Sequence, residues 1–416
     1  MLIKVKGTSD IYGDDSKLYL YIFDTFRSVL EDAGFSFIRT PVFEKTELFQ
    51  RAVGEDTDII HKETYDFIDK GGRSLSLRPE GTASICRFYI ENKMVNDSLK
   101  PSKFYYFETM YRYERPGAGR QREFTQAGCE VINAKGPLAD AELIKVLLSF
   151  LEKLGYKNLS ISLNSLGDEE SRSNYRDDLV SYFRNYTNDL CSDCLRRLDT
   201  NPLRILDCKI DNEKEFFKNS PKISNYLSES SLNFKSELLA YLDEMKVIYD
   251  LDNNLVRGLD YYDEVVFEVK SEGTTICGGG RYNRLIKEIG GENVPAVGFA
   301  LGVERLMLDL KNRFNYNRLN GIYIIAITDK ERKEALKLSN ILRDNNIKTI
   351  YDTENRSMKA QFKQADNNKV RYIMFINENS IKEEKYEIKD NINNYKEKLS
   401  IGDIIQKTKE GINENN

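Results

Sequence analysis

An α+β fold is predicted, with a large strand-rich domain interrupted by a helical insertion and followed by a small α/β domain. Residues 104–113 (FYYFETMYRY) and 122–132 (REFTQAGCEVI) are strand-like segments separated by a Pro-Gly-x-Gly turn, the pattern of an antiparallel hairpin. From about 167 to 245 strand signals give way to charged, helix-favouring sequence. After residue 320, strand-like runs (322–327, 347–351, 371–376) alternate with helix-like ones (330–345, 357–368). This β-α-β-α-β order implies a largely parallel sheet. Domains over 1–320 and 321–416 follow from these changes of pattern.

Along the chain, Leu18, Ile22, Phe26, Val29 and Leu30 recur at helical spacing between a polar start at Asp14, Asp15 and Ser16 and a stop at Gly34, predicting a helix over 16–33. Residues 35–44 (FSFIRTPVFE) read as a strand. Pro41 cannot donate to a ladder, which places that strand at a sheet edge or an interface. A helix over 138–154, ended by Gly155, precedes a strand over 159–164. Strand character returns at 255–269 and 274–277, and 295–310 (PAVGFALGVERLMLDL) reads as a strand running into a helix with Arg305 near its start. The Asn/Lys/Glu-rich end, 409–416, is expected to fray.

Composition narrows the chemistry. The chain has 416 residues, 40% hydrophobic and 31% charged, with net charge −5. It shows neither a secretory h-region nor a membrane-spanning run, which predicts a cytoplasmic protein. Six cysteines in such a length are not a disulfide framework. Cys191-x-x-Cys194 with Cys208 would need a fourth ligand to hold zinc, and no histidine lies nearby, so ordinary thiols and no metal site are expected. The single histidine, His61, excludes a multi-histidine metal site and leaves catalysis to arginines, carboxylates, tyrosines and backbone. Residues 321–416 are slightly basic on an otherwise acidic chain, and Arg356, Lys359, Lys363, Lys369 and Arg371 form a candidate stripe for a polyanion.

Arg112, Arg115, Arg120 and Arg122 crowd around Pro116, Gly117 and Gly119. Forked guanidinium groups on a flexible turn suit phosphate, and no G-x-x-x-x-G-K-[ST] loop is present, so a nucleotide triphosphate site without a P-loop is predicted. The alternative is a hairpin whose arginines pair with nearby acids. In Leu255-Val-Arg-Gly-Leu-Asp-Tyr-Tyr262, likewise, Arg257 could pair with Asp260.

Together with Arg78-Pro-Glu-Gly-Thr82, Gln126-Ala-Gly-Cys-Glu130, Gly280-Arg-Tyr282 and Gly302-Val-Glu-Arg305, these segments resemble the histidyl-tRNA synthetases, a class II family. The resemblance runs from Gly7-Thr8-Ser9-Asp10 through Arg356–Asp366. It implies a class II antiparallel-sheet catalytic domain, a C-terminal anticodon-binding domain and a homodimer joined around Pro41. It further implies that histidine is activated by ATP, with Mg2+, to an adenylate and then transferred to the 3′ end of tRNA(His). By the same resemblance Arg112 and Arg257 hold the α-phosphate, Arg120 and Arg305 engage the triphosphate, and Glu114 contacts adenine. Glu80, Thr82 and Gln126 receive the ammonium, Glu130 and Tyr262 meet the two imidazole nitrogens, and Tyr261 and Tyr282 wall the pocket. Arg356, Lys359 and Lys363 are the first candidates for tRNA.

Three departures from the family pattern stand at Gly13, where many members carry proline, at Thr125, where bacterial members commonly carry histidine, and at Gly117, where they usually carry glutamine. The rival reading is the synthetase-like regulatory subunit of ATP phosphoribosyltransferase, a histidine-sensing protein that typically lacks both the last domain and the arginine of LVRGLDYY.

Overall fold

A computed structural model describes residues 2–54, 57, 59–208, 210–316 and 319–413. The side chain of His61 lies outside the described set. The chain divides into two compact units, Met1–Phe314 and Asn315–Asn416.

The first unit is built on an eight-stranded sheet. Its order is Ser36–Phe37, Ser102–Tyr111, Glu123–Ile132, Ala296–Gly302, Thr274–Arg281, Asp263–Ser271, Leu159–Gly167 and Tyr249–Leu251. All neighbours are antiparallel except the two outermost pairs. Helix Gly13–Asp32 buries Leu18, Ile22, Phe26, Val29 and Leu30, the face set by the spacing of its apolar residues. Gly34 follows with φ +80°, a conformation that glycine adopts without the Cβ penalty. Helix Leu138–Lys153 and the junction from strand Ala296–Gly302 into helix Val303–Leu310 also form.

Two strand expectations need correction. Residues 35–44 split into Ser36–Phe37, in the large sheet, and Phe43–Lys45, in a separate three-stranded sheet with Ser74–Leu77 and Tyr65–Ile68. Pro41 stands between them, where the lack of a backbone N–H does no harm. Residues 255–262 are irregular, and the strand begins only at Asp263. Tyr261 and Tyr262 are both buried in the same cavity wall, which the alternation of a strand forbids.

Between the strands Leu159–Gly167 and Tyr249–Leu251 lie helices Glu169–Arg184, Ser192–Thr200, Glu215–Lys218 and Glu229–Glu244. Two of the longer ones start on side-chain caps: Asp168 accepts from Ser171 N–H and Ser228 from Ser231 N–H. Their small core gathers Tyr175, Leu179, Phe183, Leu198 and Phe217 around Cys194 and Cys208.

The second unit holds a five-stranded sheet ordered Thr349–Tyr351, Ile322–Ile325, Tyr372–Phe375, Lys385–Asp390 and Tyr395–Ser400. Helices Asp329–Asp344 and Met358–Asn367 supply the crossovers. The first three strands are parallel, but the last two form an antiparallel hairpin, so the sheet is mixed rather than largely parallel. The frayed end is also corrected: helix Ile401–Asn413 covers most of it, and 414–416 lie outside the described residues. Among the described residues no helix is long and apolar enough to cross a membrane.

Candidate active site

A cavity of about 470 Å³ opens on one face of the large sheet, and all twelve residues expected to bind histidine or ATP line it. Small residues make its floor. Gly298 lies opposite Glu130 and Gly280 in register, and Gly278 lies opposite Ala300. A Cβ on Gly298 would sit 1.7 Å from Glu130 Oε2, and one on Gly278 would sit 2.2 Å from Arg257 Cζ. The glycines are therefore space for two functional side chains.

One end of the cavity is closed and acidic. Glu80 accepts from the backbone N–H groups of Thr82 and Ala83, both at 2.8 Å, at the N-terminus of helix Thr82–Glu91. Glu130 accepts from Thr82 Oγ1 at 2.8 Å and from the Tyr282 hydroxyl. Burial pushes the Glu130 carboxyl up to about 8, against the lowering effect of those two hydroxyls. Glu80 is likewise raised by burial, although the Ala83 and Thr82 N–H groups and Arg112 oppose it. Tyr262 is pushed up to about 12 by burial, with Arg257 working the other way. Tyr261 stacks obliquely on Tyr262 and edge-on to Tyr282.

Gln126 adds a detail. Its Oε1 accepts from Gly81 N–H at 3.1 Å and from the Tyr106 hydroxyl at 3.3 Å, so an incoming ammonium meets that oxygen only if Tyr106 yields. Tyr106 was not among the expected residues. It is buried opposite Gly128, where a Cβ would lie 2.4 Å from its hydroxyl. The signal was a bulky tyrosine facing a glycine across the hairpin.

The other end is open and cationic. Arg112 donates from Nε to Pro79 O at 2.8 Å and lies over the Phe124 ring. Arg120 and Arg305 are exposed on the rim, and Arg120 Nη1 is 4.0 Å from Glu114 Oε2. Glu114 is half-buried, and burial together with Glu63 raises its carboxyl, opposed by Arg112, Arg120 and Arg305. Arg257 pairs with Glu268, not Asp260. Asp260 instead lies 3.9 Å from Arg204.

Glu268 was missed by sequence reasoning, and so was its link to the rim. Its second oxygen accepts from Thr275 Oγ1 at 2.9 Å, while Thr275 O accepts from Arg305 Nη1 at 3.3 Å. Thus the two arginines are tied through adjacent strands before any ligand arrives.

Neighbouring motif residues have structural work instead. Arg281, fully buried, is held by Asp140, Ala134 O and Gly136 O. Arg78 is buried against Glu108 at 2.6 Å. Thr125 receives no ligand role here: its N–H donates to Glu304 Oε1 at 2.8 Å and its hydroxyl meets that of Tyr19.

The comparisons agree over nearly the whole length. A model described as histidyl-tRNA synthetase matches residues 7–167 and 193–306, and one described as anticodon binding domain matches 321–411. A histidine–tRNA ligase of Bacillus cytotoxicus is 43% identical over 405 residues, 95% of this chain and 96% of the relative. The chain belongs to the histidyl-tRNA synthetase family. That of Thermosipho melanesiensis is 44% identical, with 92% of each chain covered. Among solved structures, the apo histidyl-tRNA synthetase of S. aureus aligns with TM-score 0.81 at 35% identity, covering 98% of this chain and all of that one. A Bacillus halodurans protein described as an ATP phosphoribosyltransferase regulatory subunit/histidyl-tRNA synthetase shares the fold, with TM-score 0.64 at 22% identity, covering 90% of this chain and 98% of its own.

The stripe expected in the second unit shrinks in the structure. Arg371 is buried 3.6 Å from Asp390, and Lys369 donates to Tyr316 O at 2.9 Å. Arg356, Lys359 and Lys363 are exposed, although Arg356 also pairs with Asp352 at 2.8 Å. The remaining exposed cations therefore lie on or next to one helix, Met358–Asn367.

Proposed function

We propose that the closed acidic end binds histidine and the open cationic end binds ATP, so that the amino acid's carboxylate reaches the α-phosphorus where the two ends meet. The chain is a histidine–tRNA ligase. The observation that carries the division of labour is the convergence, in one cavity, of buried Glu80 and Glu130 with Arg112, Arg120, Arg257 and Arg305. Glu80, Thr82 and Gln126 receive the ammonium, and Glu130 and Tyr262 take the two ring nitrogens, one group accepting and the other able to donate. Tyr261 and Tyr282 shape the walls. An amino acid without ring nitrogens would cover Glu130 while offering it no partner beyond Thr82 and Tyr282, which discriminates against it.

Attack of the carboxylate spreads negative charge over the phosphoryl oxygens and expels pyrophosphate. Arg112 and Arg257 stabilise that charge, Arg120 and Arg305 hold the outer phosphates, and Glu114 contacts adenine. The tRNA 3′ end then takes the aminoacyl group and releases AMP. Mg2+ accompanies ATP as part of the substrate. Glu268 is engaged by Arg257 and Thr275, which leaves the phosphates as the ion's main ligands.

Residues 321–416 recognise the anticodon, with Arg356, Lys359 and Lys363 on the RNA side. The regulatory-subunit reading requires neither that domain nor the arginine end. A homodimer forms around Pro41, a reading supported by the exposed apolar side chains of Phe37, Phe43, Phe67 and Ile68 nearby. The proposed location is the cytoplasm, where tRNA is charged.

Histidine-dependent pyrophosphate exchange, followed by charging of purified tRNA, tests this reading. A chain ending at Phe314 keeps the exchange and charges tRNA poorly. Parallel loss of both would mean that the second unit only buttresses the catalytic one. In the full chain, replacing Lys359 or Lys363 by alanine weakens tRNA binding and reduces its logarithmic salt slope by about 0.7 per lost phosphate contact.

A further inference from the structure

We propose that Cys191, Cys194, Cys208 and Asp211 form a structural zinc site within the helical insertion. Their ligand atoms, three sulfurs and one carboxylate oxygen, all lie within 4.8 Å of one another, the only such group among the described residues. The fourth donor that the cysteine count lacked is therefore a carboxylate. The spacing also has a logic visible only once Asp211 is included: Cys191-x-x-Cys194 and Cys208-x-x-Asp211 repeat one interval. Two such turns facing each other are the usual frame of a closed four-ligand zinc site.

The geometry agrees with that frame. Cys191 Sγ and Cys208 Sγ are 3.7 Å apart. Two thiolates on a tetrahedral ion with zinc–sulfur bonds of about 2.3 Å would be about 3.8 Å apart. Cys208 Sγ accepts backbone N–H groups from Ile210 at 3.4 Å and Asp211 at 3.3 Å, an arrangement that stabilises charge on sulfur. Asp211 is fully buried, and its Oδ2 is aimed by the Cys191 N–H at 2.9 Å. Lys214 Nζ, 2.7 Å from Asp211 Oδ1, and the N-terminus of helix Ser192–Thr200 next to Cys191 offset part of the negative charge of three thiolates and a carboxylate.

Binding exchanges the thiol protons, which pass to solvent, for one Zn2+, with no change of oxidation state. Burial of Cys194, Cys208 and Asp211 leaves no open coordination position, so the ion is structural. It ties the start of helix Ser192–Thr200 to the turn after Cys208, in a core whose described residues form helices and loops. Mixed sulfur and oxygen donors favour zinc over softer copper(I), which prefers sulfur alone.

Metal content decides the matter independently of aminoacylation. The full chain, purified under reductant without chelator, is expected to hold about one zinc per chain by mass spectrometry of the metal. Mercurial titration of the thiols should release it. Substitutions Cys194→Ser and Asp211→Asn should each lower that stoichiometry. Since such variants could fold poorly, the unaltered chain supplies a second readout: Co2+ added after zinc removal should give tetrahedral d–d bands and thiolate-to-cobalt charge transfer. Failure to bind zinc or to produce the cobalt spectrum on anaerobic reconstitution overturns the proposal. So does full zinc content in the Cys194→Ser chain, or a native mass lighter by two hydrogens with Cys191 joined to Cys208.

Discussion

The two ends of the catalytic cavity solve opposite problems. At the acidic end the groups proposed to recognise histidine are buried and already hydrogen-bonded: Glu80 to the Thr82 and Ala83 N–H groups, and Glu130 to Thr82 and Tyr282. At the cationic end the rim arginines Arg120 and Arg305 are exposed, and Arg257 is held by Glu268. Discrimination between small amino acids needs a fixed, dry set of acceptors in which a mismatch leaves a polar group unpaired. Phosphoryl chemistry needs permanent charge aimed where negative charge develops, and long arginines on the cavity rim can reach a bound triphosphate. Two floor glycines separate the problems physically, Gly298 making room for Glu130 and Gly278 for Arg257.

That contrast breaks first at Arg257. Arg257→Ala is expected to slow single-turnover adenylation by about 10²–10³ while histidine binding stays near normal. An unchanged adenylation rate would remove Arg257 from the chemistry, and an equal loss of histidine affinity would dissolve the division between the ends. Gly278→Ala should mimic the adenylation defect, because its Cβ would occupy the guanidinium position, whereas Gly298→Ala should instead strike histidine binding through Glu130. Exchange kinetics at varied histidine and ATP would separate the two.

A smaller effect is expected at Glu130. Glu130→Gln keeps the shape but loses a charge-capable acceptor, worth about 1.5–3 kcal/mol, which corresponds to a rise in histidine KM of very roughly ten- to over a hundredfold. The KM for ATP should scarcely move. A matching rise for both substrates would mean that the closed end supports the whole cavity and has no separate role in recognition.

Much of this was legible in the sequence, for identifiable reasons. The five apolar residues of helix Gly13–Asp32 repeat at one period and face one core, so periodicity sufficed. The arginine hairpin was legible because two alternating segments flank a turn, and its register from Ser102↔Ile132 to Tyr111↔Glu123 is uninterrupted. LVRGLDYY misled because β-branched and aromatic residues favour strands, while cavity geometry required adjacent tyrosines on one side. The hairpin Lys385–Asp390/Tyr395–Ser400 was hidden by its lysines and glutamates, though Tyr386 and Ile388 alternate into the core. Glu268 was invisible for a different reason: it reads as an ordinary strand residue, and only the partner across the sheet reveals its role, whereas Tyr106 facing Gly128 follows from the register of the hairpin.

The mildest expected effect concerns pH and stability in the absence of ligand, and it tests whether the acidic end is as dry as its geometry implies. Burial raises the Glu130 carboxyl to about 8, against about 4.5 when exposed to solvent in the unfolded chain. Between these values the folded protein retains a proton that the unfolded chain has released. Unfolding therefore sheds protons, and stability falls as pH rises until both states are ionised above about 8. Asp263, raised to about 6, and Glu264, raised to about 7, both chiefly by burial, add slopes of the same sign over lower windows. Glu130→Gln removes only the highest of these. Its melting temperature should thus decline less than that of the unaltered chain across the whole window from about pH 5 to 8, and the two should run in parallel only above that window, where Glu130 is ionised in both states. If the curves stay parallel through pH 8, water reaches Glu130 in the free protein, and the contrast between a dry recognition end and a wet catalytic end would hold only after histidine binds.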